Sequence, residues 1–586
     1  MSTTERAARP SQRRRSPARL VGWALLAIGL VLVVLLVWGA LAALSLRSHA
    51  TAAADRVSQV QDALELRDLE GARRATEAAS AETRQAADAA GALPLVLASH
   101  LPGRAGSLLA DVRTVVGATD LAVTDGALPL VGVAGVVEDP SGMLREDGSI
   151  DVDRLQQTAD AVHPAAVALA EAQRRVAGVD PASMPSQLAD GVRRAAEGID
   201  ELADRARDAD SALAVLPAAL GAQEPRSYLV AFQNPAEVRP TGGIIGTWAL
   251  VTVDDGRTQL QETGSNDDLE GLRGPVRDLG AEYAALYPPE DVAYSQNVNL
   301  SPHFPSAGLL LSDLWVAQGR PAPDGVVALD PQGMAPLLRG AGDVQVAGGP
   351  SVNADTVVDV LLRQAYEAFA DDQDARKEYL STLVGTAFAD ALGGGAFDTA
   401  TLRGLLDAAE EGHLLAWSSR EPEQAALVEA GMSGALPAPT PDAAGVYLTN
   451  VSASKLDYYL SQDVVATPAC GGAPPRLTVR LGSSAPARVP QYVANKLPGV
   501  APTTESLLMA LYLPPERGID QVRVDGQPVQ LAAGTEGGWS VARFTVQVPR
   551  ESTVEVVADL AGDPSAPTTL RTQALVQPAT TATGTC

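Results

Sequence analysis

The stretch AFQNPAEVRPTGGIIGTWALV, residues 231–251, decides the fold of the central part of the chain. Its two ends carry the apolar, aromatic and β-branched residues that suit strands of a half-buried sheet. Polar and charged residues, two prolines and a glycine pair lie between these ends. The pattern therefore predicts two core strands joined by a polar loop. The candidate ligand-binding residues of this loop are Asn234, Glu237, Arg239, Thr241, Gly242 and Gly243.

The loop has the composition of an anion-binding site. Pro235 and Pro240 restrict the backbone, and Gly242 and Gly243 allow conformations that are closed to other residues. Such a loop can turn successive N–H groups toward one point. Arg239 adds a planar fork of donors that matches phosphate.

The same residues also allow a purely structural interpretation. Glu237 can pair with Arg239, while Asn234 and Thr241 cap the turn. In the ligand-binding interpretation, Glu237 instead orients Arg239 or helps to bind a divalent cation. The residues alone leave both interpretations open.

Outward from this stretch, strands alternate with helices over residues 223–465, which predicts a layered α/β domain. Asp255 and Gly256 give a two-residue hairpin signal. Short strands punctuated by glycine and proline fill residues 466–586, with a second hairpin signal at residues 525–526. This last region is predicted to be a β-sandwich.

The N-terminal region predicts a membrane anchor. An arginine-rich tail, residues 1–19, precedes an uncharged apolar run, residues 20–46. Twenty-seven residues of helix span about 40 Å, enough to cross a bilayer with the arginines kept in the cytoplasm. A cleaved signal peptide is the alternative, but the run is too long for one. Residues 47–222 read as a helical stalk or bundle, with an oligomerising or sensory coiled coil as the alternative.

Composition limits the choice of partners. The formal charge of −27 over 586 residues argues against nucleic acid, which requires basic surface. With the anchor in place, the bulk of the chain lies outside the cytoplasm. Such an acidic chain needs a local basic site or a metal ion to bind an anionic wall polymer.

The two cysteines, Cys470 and Cys586, both follow the anchor. An oxidising compartment favours their pairing, which would tie the last residue to the start of the β region. The alternative is two free thiols.

Two further segments are candidates for chemistry. GSNDDLEGL, residues 264–272, offers Asp267 as a metal ligand, although it reads equally well as a capped helix start. In DDQDARKEYL, residues 371–380, Arg376 lies at a helix start, against the helix dipole, which suggests another partner.

The segment RSYLVAFQNPAEVRPTGGIIGTWALVTVDDGR, residues 226–257, resembles the signature of a bacterial family of membrane-anchored extracytoplasmic proteins, defined only as a domain of unknown function. The likeness continues through SPHFPSAGLLLSDLW, PDGVVALDPQGMAPLL, LLAWSSREPEQ and SKLDYYLSQ, in consistent order to about residue 463. It is typical of the actinobacterial branch.

That family is in turn distantly similar to the LytR-CpsA-Psr proteins. These are extracytoplasmic, single-anchor enzymes that move glycopolymers from a polyprenyl-pyrophosphate carrier to the cell wall, with Mg²⁺ and arginines on the pyrophosphate. The resemblance implies their α/β layered fold. It also matches Arg239 to their loop arginine and Arg376 to an arginine near a later helix.

One departure from that pattern bears on activity. After Arg239 this chain has Pro240 and Thr241, and the acidic metal ligand of those proteins is absent. Two alternatives follow from the resemblance. Either Mg²⁺ is held by other carboxylates, with Glu237 and Asp267 as candidates, or the transferase chemistry has been lost.

The sequence thus predicts a single-pass cell-envelope protein that binds a polyprenyl-pyrophosphate-linked or phosphate-bearing glycan, and that transfers it if the enzymatic alternative holds. The rival hypothesis is a non-enzymatic scaffold that contacts a protein partner and wall polymer. A deep apolar tunnel beside Arg239 would favour the lipid carrier, and a filled core there would favour the scaffold.

Overall fold

The computed structural model describes residues 17–66, 68–138, 140–145, 147–269, 277–339, 342–393 and 399–585. The chain forms two compact units, one within residues 1–137 and 158–210 and the other within residues 138–157 and 211–586. Helices build the first unit, and the second contains three sheets. The predicted multidomain architecture, with a helical N-terminal region, is confirmed at this level.

The first unit is built from long helices whose buried positions recur every three or four residues. On the second helix these positions hold small residues such as Ala72, Ala79 and Ala86, so neighbouring backbones can approach closely. Ala118, Leu169 and Ile199 share a second core between other helices. The helices before the first strand are α1 (Pro17–Glu65), α2 (Leu69–Ala90), α3 (Leu93–Ser99), α4 (Arg104–Leu121), α5 (Leu128–Glu138), α6 (Val152–Ala177) and α7 (Ser186–Ala219), with a π-helical turn (Ala122–Ala127) between α4 and α5 and 3₁₀ turns at Pro140–Met143 and Pro181–Ser183.

The predicted anchor, residues 20–46, lies within α1, but the side chains of residues 17–36 fall outside the described part of the chain, as do residues 1–16 of the basic tail. Among the described side chains, one helical stretch, Arg104–Val133, is long and apolar enough to cross a membrane, and 28% of its most apolar window is buried. The anchor therefore stays a prediction.

The second unit begins with a mixed five-stranded sheet. Its strands are β1 (Arg226–Arg239), β2 (Gly242–Asp254), β3 (Arg257–Ser265), β4 (Gly325–Leu329) and β5 (Leu414–Ser418), in the order β3-β2-β1-β4-β5. β1 and β4 are parallel, and the other neighbours are antiparallel. Asp255 and Gly256 make the predicted hairpin turn, with φ values of 46° and 76°.

Both faces of this sheet are covered. Leu229 and Ala231 of β1 lie in a core on one face, while Val230 and Phe232 lie in a separate core on the other face. Burial on both sides explains why β1 reads as a continuous apolar run. The helices of this region are α8 (Ala281–Leu286), α9 (Phe304–Ala317), α10 (Pro331–Leu338), α11 (Val357–Asp359), α12 (Ala365–Ala368), α13 (Gln373–Gly393), α14 (Thr399–Glu410) and α15 (Glu421–Glu429), with a π-helical turn at Val360–Gln364 and 3₁₀ turns at Asn266–Leu269, Ser295–Asn297 and Leu456–Tyr459.

Two further sheets enclose one hydrophobic core, which includes Leu448, Met509 and Phe544 from one sheet and Val479 and Val556 from the other. The sheets have the orders β12-β13-β9-β6-β15 and β11-β10-β14-β8-β7-β16. Their strands are β6 (Ala443–Asn450), β7 (Leu460–Thr467), β8 (Arg476–Ser483), β9 (Glu505–Leu513), β10 (Gly518–Val524), β11 (Gln527–Pro528), β12 (Ala532–Glu536), β13 (Trp539–Val548), β14 (Thr553–Ala561), β15 (Thr569–Thr572) and β16 (Thr580–Thr583).

The predicted boundary between the α/β and β regions, at residues 465 and 466, falls inside β7. β6 and β7 lie almost wholly before this boundary, yet they pair with β9 and β8, which lie after it. Every residue of β6 is buried, so its sequence lacks the alternation that marks a strand with one exposed face. The two C-terminal sheets therefore begin at β6.

The C-terminal tail returns toward the start of the β region. β16 pairs in parallel with β7, and the N–H of Gly584 donates to the carbonyl of Ala466 over 2.8 Å. Cys586 itself lies outside the described residues, and no described cysteine is free. The pairing of Cys470 with Cys586 therefore stays a prediction.

We expect Cys470→Ser to lower the free energy of unfolding by about 4–5 kcal/mol, because the bridge would close a loop of over a hundred residues. Urea denaturation of oxidised protein measures this change. Cys586→Ser is the matched control and should give the same loss. A loss seen with only one of the two variants would contradict the pairing.

Candidate functional site

β1 and β2 pair along almost the whole stretch of residues 231–251, so the predicted polar loop is a bulged hairpin. Asn234 faces Ile244 and Val238 faces Gly243, which leaves residues 235–237 as a bulge in β1. The turn between the strands is only two residues long. A bulge suits this sequence because its proline has no N–H to contribute to the ladder.

The glycine pair closes the hairpin. Gly242 has a φ of 126°, and a Cβ there would lie 2.5 Å from the side-chain oxygen of Gln233. A Cβ on Gly243 would lie 2.1 Å from the carbonyl carbon of Asn234. Gly242, Gly243 and Thr241 do not line the cavity described below. The close contacts give both glycines a packing role, and ligand binding by these three residues stays a prediction.

Arg239 is 5% exposed and also does not line the cavity. Its Nη1 donates to the carbonyls of Val238 and Asn450 over 3.0 and 3.2 Å, and its Nη2 donates to Glu237 over 3.4 Å. These groups occupy both Nη atoms, whereas Nε is buried without a hydrogen-bond partner in the described structure. Because the occupied donors bind protein groups and the side chain does not line the cavity, the geometry favours the structural interpretation of Arg239.

Glu237 is held between two cations. Lys455 donates to its second carboxylate oxygen, and both side chains are almost fully buried. Burial acts to raise the pKa of Glu237, but the charges of Lys455 and Arg239 outweigh it and hold that pKa below its ordinary value. Glu237 therefore stays ionised and links the hairpin to the segment after β6.

A second buried carboxyl group also accepts a hydrogen bond from the hairpin. Asp457 accepts hydrogen bonds from the N–H of Val238 and the amide of Asn450, each over 2.8 Å. Its other oxygen is buried without a hydrogen-bond partner. Burial raises the pKa of Asp457 to about 7.

A cavity of about 240 Å³ lies beside the bulge. Of the predicted site residues, Asn234, Glu237 and Arg376 line it. One part of its wall is basic and aromatic, and another part is apolar. The apolar lining includes Phe232, Ile244, Ile245, Leu329, Met334, Leu361, Leu362, Leu380 and Val384.

Arg376 is the most unusual side chain of this cavity. It lies in the first turn of α13 and is 2% exposed. Its guanidinium carbon lies 4.8 Å from the ring centre of Tyr366 and 3.9 Å from that of Tyr492. Nη1 is buried without a hydrogen-bond partner in the described structure. Aromatic faces thus hold the cation and leave donors available to a ligand.

The chain has three lysines, Lys377, Lys455 and Lys496, and all three line this one cavity. Lys496 is exposed, donates to the carbonyl of Ala453 over 2.6 Å and lies 4.5 Å from the ring centre of Tyr492. Burial lowers the pKa of Lys496. Glu237 and Asp330 also line the cavity, so its four basic side chains outnumber its two carboxylates.

The predicted magnesium ligands do not fit an ion in this arrangement. Glu237 already pairs with Lys455 and Arg239, and Asp267 pairs with Lys377 at 2.5 Å. No group of three metal-binding side chains occurs among the described residues. A divalent ion would have to displace a lysine at either carboxylate.

The sequence predicted Arg376 as a site residue. It did not predict four other residues that line the cavity, namely Tyr366, Lys455, Tyr492 and Lys496. These residues come from segments far apart in the chain, and no local motif joins them. One available signal was the rarity of lysine, since only three of the 44 basic residues are lysines. Because the chain uses arginine almost everywhere else, each lysine was a candidate for a specific role.

This part of the chain is an α/β domain with a cavity that has a basic part and an apolar part. Residues of the β region, among them Tyr492 and Lys496, complete the cavity wall. Residues 223–366 match the family described as "Protein of unknown function (DUF4012)". This match supports the likeness to a domain-of-unknown-function family. No curated protein and no solved structure matches the chain significantly.

Asp457→Asn should change how stability depends on pH. The folded-state pKa of Asp457 is raised to about 7, so the folded protein binds this proton more tightly than the unfolded chain. Protonation of Asp457 therefore contributes its full share to the free energy of unfolding below about pH 4. This contribution, at most about 4 kcal/mol, is lost as the pH rises to about 7. Asparagine can accept the same hydrogen bonds, so the variant should lack this fall. Urea denaturation at several pH values measures it.

Asp520→Asn, at an exposed position, is the control and should follow the parent profile. If the free-energy difference between the parent and Asp457→Asn is constant from pH 4 to pH 7, the assignment fails.

Proposed function

We propose that the chain is a single-pass, extracytoplasmic cell-envelope protein that binds a polyprenyl-linked, phosphate-bearing glycan in this cavity. The observation that carries the proposal is the convergence of Arg376 and all three lysines of the chain on one cavity. Guanidinium and ammonium groups are the usual protein ligands of phosphate.

The charges in the cavity favour an anion of more than one negative charge. Glu237 neutralises Lys455, and Asp267 neutralises Lys377. Arg376 and Lys496 make no ion pair with a carboxylate among the described residues. Two uncompensated cations beside an apolar wall suit a phosphate or pyrophosphate that is attached to a hydrocarbon chain.

The cavity size indicates how much of such a ligand is enclosed. Its volume of about 240 Å³ is below the usual range of about 300–1,000 Å³ for pockets that enclose a whole small molecule. The apolar side chains Leu361, Leu380 and Val384 would contact the first isoprene unit beside the phosphate. The rest of the lipid would remain outside.

The proposal includes the finer assignments of fold and place. We class the mixed sheet as LytR-CpsA-Psr-like and the two C-terminal sheets as a β-sandwich. The arginine-rich tail and apolar residues 20–46 would keep the N-terminus in the cytoplasm. We propose binding as the core activity, because both candidate metal ligands already pair with lysines.

Arg376→Gln in the full-length protein should weaken binding of farnesyl pyrophosphate, a short polyprenyl pyrophosphate, by about tenfold or more. The lost charge-assisted hydrogen bond is worth about 1.5–3 kcal/mol. Isothermal titration calorimetry measures the change. Farnesol and inorganic pyrophosphate should each bind more weakly than the intact molecule, because each contacts one part of the wall.

Arg480→Gln provides the matched control, since Arg480 is exposed on β8 and pairs with Glu555. It should leave affinity unchanged. Equal affinity of Arg376→Gln and the parent, or no binding by the parent, would contradict the proposal and favour the non-enzymatic scaffold.

Lysine-specific reductive methylation offers an independent test. Apart from the N-terminal amine, only Lys377, Lys455 and Lys496 can react, because the chain has no other lysine. Farnesyl pyrophosphate should slow the modification of the exposed Lys377 and Lys496, as followed by peptide mass spectrometry. Rates that do not change with the ligand would place it outside the cavity.

A further inference from the structure

The helical unit carries an apolar surface that its own packing leaves uncovered. Leu93, Leu97 and Leu101 are 52%, 53% and 63% exposed, and we refer to them as the leucine face. Leu93 and Leu97 share one side of α3 because they are four residues apart. Their neighbours Pro94 and Leu95 are buried. α3 thus has a packed side and an uncovered apolar side.

Two contacts locate α3 along α1, one directly and the other through α2, which precedes α3 in the chain. A Cβ on Gly39 would lie 3.3 Å from the Cβ of Pro94. Farther along, His49 of α1 contacts Glu82 of α2 at 2.6 Å. α2 continues for eight residues from Glu82 to its end at Ala90, which brings it to about the level of residue 41. Both observations place α3 beside the last third of the apolar run.

That level corresponds to the outer edge of the proposed bilayer span. About 20 helical residues cross the hydrocarbon core, and the apolar run of residues 20–46 is longer. With Arg19 at the inner interface, the excess residues would lie at the outer interface. The α1 side chains at this level are themselves exposed and apolar, namely Val37, Trp38, Leu41 and Leu44.

The sequence around α3 is suited to the same environment. Residues 89–103 contain no Asp, Glu, Lys or Arg, and the exposed Arg104 follows directly. Arg113 of α4 donates to the carbonyl of Ala90 and the hydroxyl of Ser99, over 2.9 and 2.8 Å. These bonds hold α3 in place while its leucines remain uncovered.

We infer that the leucine face lies in the outer leaflet of the membrane, so that α3 is an interfacial helix beside the anchor. The occupant of this surface is therefore lipid. The inference rests on the proposed anchor but not on the ligand cavity. Burial of an apolar face at the boundary between headgroups and acyl chains is the usual behaviour of such helices.

Tryptophan quenching tests this inference in the full-length protein, in nanodiscs that hold one chain each. In discs made with acyl-brominated lipid, the extra emission from Leu97→Trp should fall by about half, because a side chain at this depth contacts the acyl chains. Emission from the same variant in unbrominated discs is the reference, and parent protein supplies the background.

Val167→Trp is the matched control, because Val167 on α6 is also 53% exposed. Its neighbour Leu169 packs at Gly126, about 30 Å along the helical path from Arg104. Bromolipid should leave this emission unchanged. Quenching of neither variant, or of both equally, overturns the inference. A negative result here leaves the farnesyl pyrophosphate measurements unaffected, so the two proposals can fail separately.

Discussion

The ionised carboxylate of Glu237 is the constraint on which the second unit depends. A buried carboxylate costs several kcal/mol unless cations and hydrogen bonds compensate it. Arg239 comes from the same hairpin, whereas Lys455 comes from the segment after β6. The α/β sheet and the C-terminal sheets must therefore fold against each other before this charge is satisfied. The same junction forms the polar wall of the cavity.

Local chemistry made part of this fold predictable. The hairpin turns at residues 255–256 and 525–526 follow from the ability of aspartate and glycine to adopt positive φ. The polar hairpin tip was mistaken for a loop because sequence does not distinguish a bulge from a turn. Its polar groups meet distant partners, as when the N–H of Val238 donates to Asp457, 219 residues later in the chain. Such long-range pairing leaves no local signal.

Two local signals predicted part of the cavity lining: the polar interruption between two strands gave Asn234 and Glu237, and a broken helix rule gave Arg376. Arg376 opposes the dipole of its helix, and this conflict identified it. Lys455, Tyr492 and Lys496 break no such rule, and they reach the cavity from the β region. The family match over residues 223–366 covers β1, β2 and Tyr366 but ends before Arg376. The matched segment alone therefore provides only part of the cavity wall, and the basic residues depend on the rest of the chain.

The contrast between an acidic chain and a basic cavity favours a particular kind of ligand. A formal charge of −27 repels long anionic polymers, whereas a lipid-linked glycan presents one compact phosphate group. Tyr366 and Tyr492 hold Arg376 by their ring faces, where a carboxylate would otherwise occupy its donors. The guanidinium is thus ordered before a ligand arrives, which lowers the entropic cost of binding. Two aromatic rings achieve this without adding a negative charge to the site.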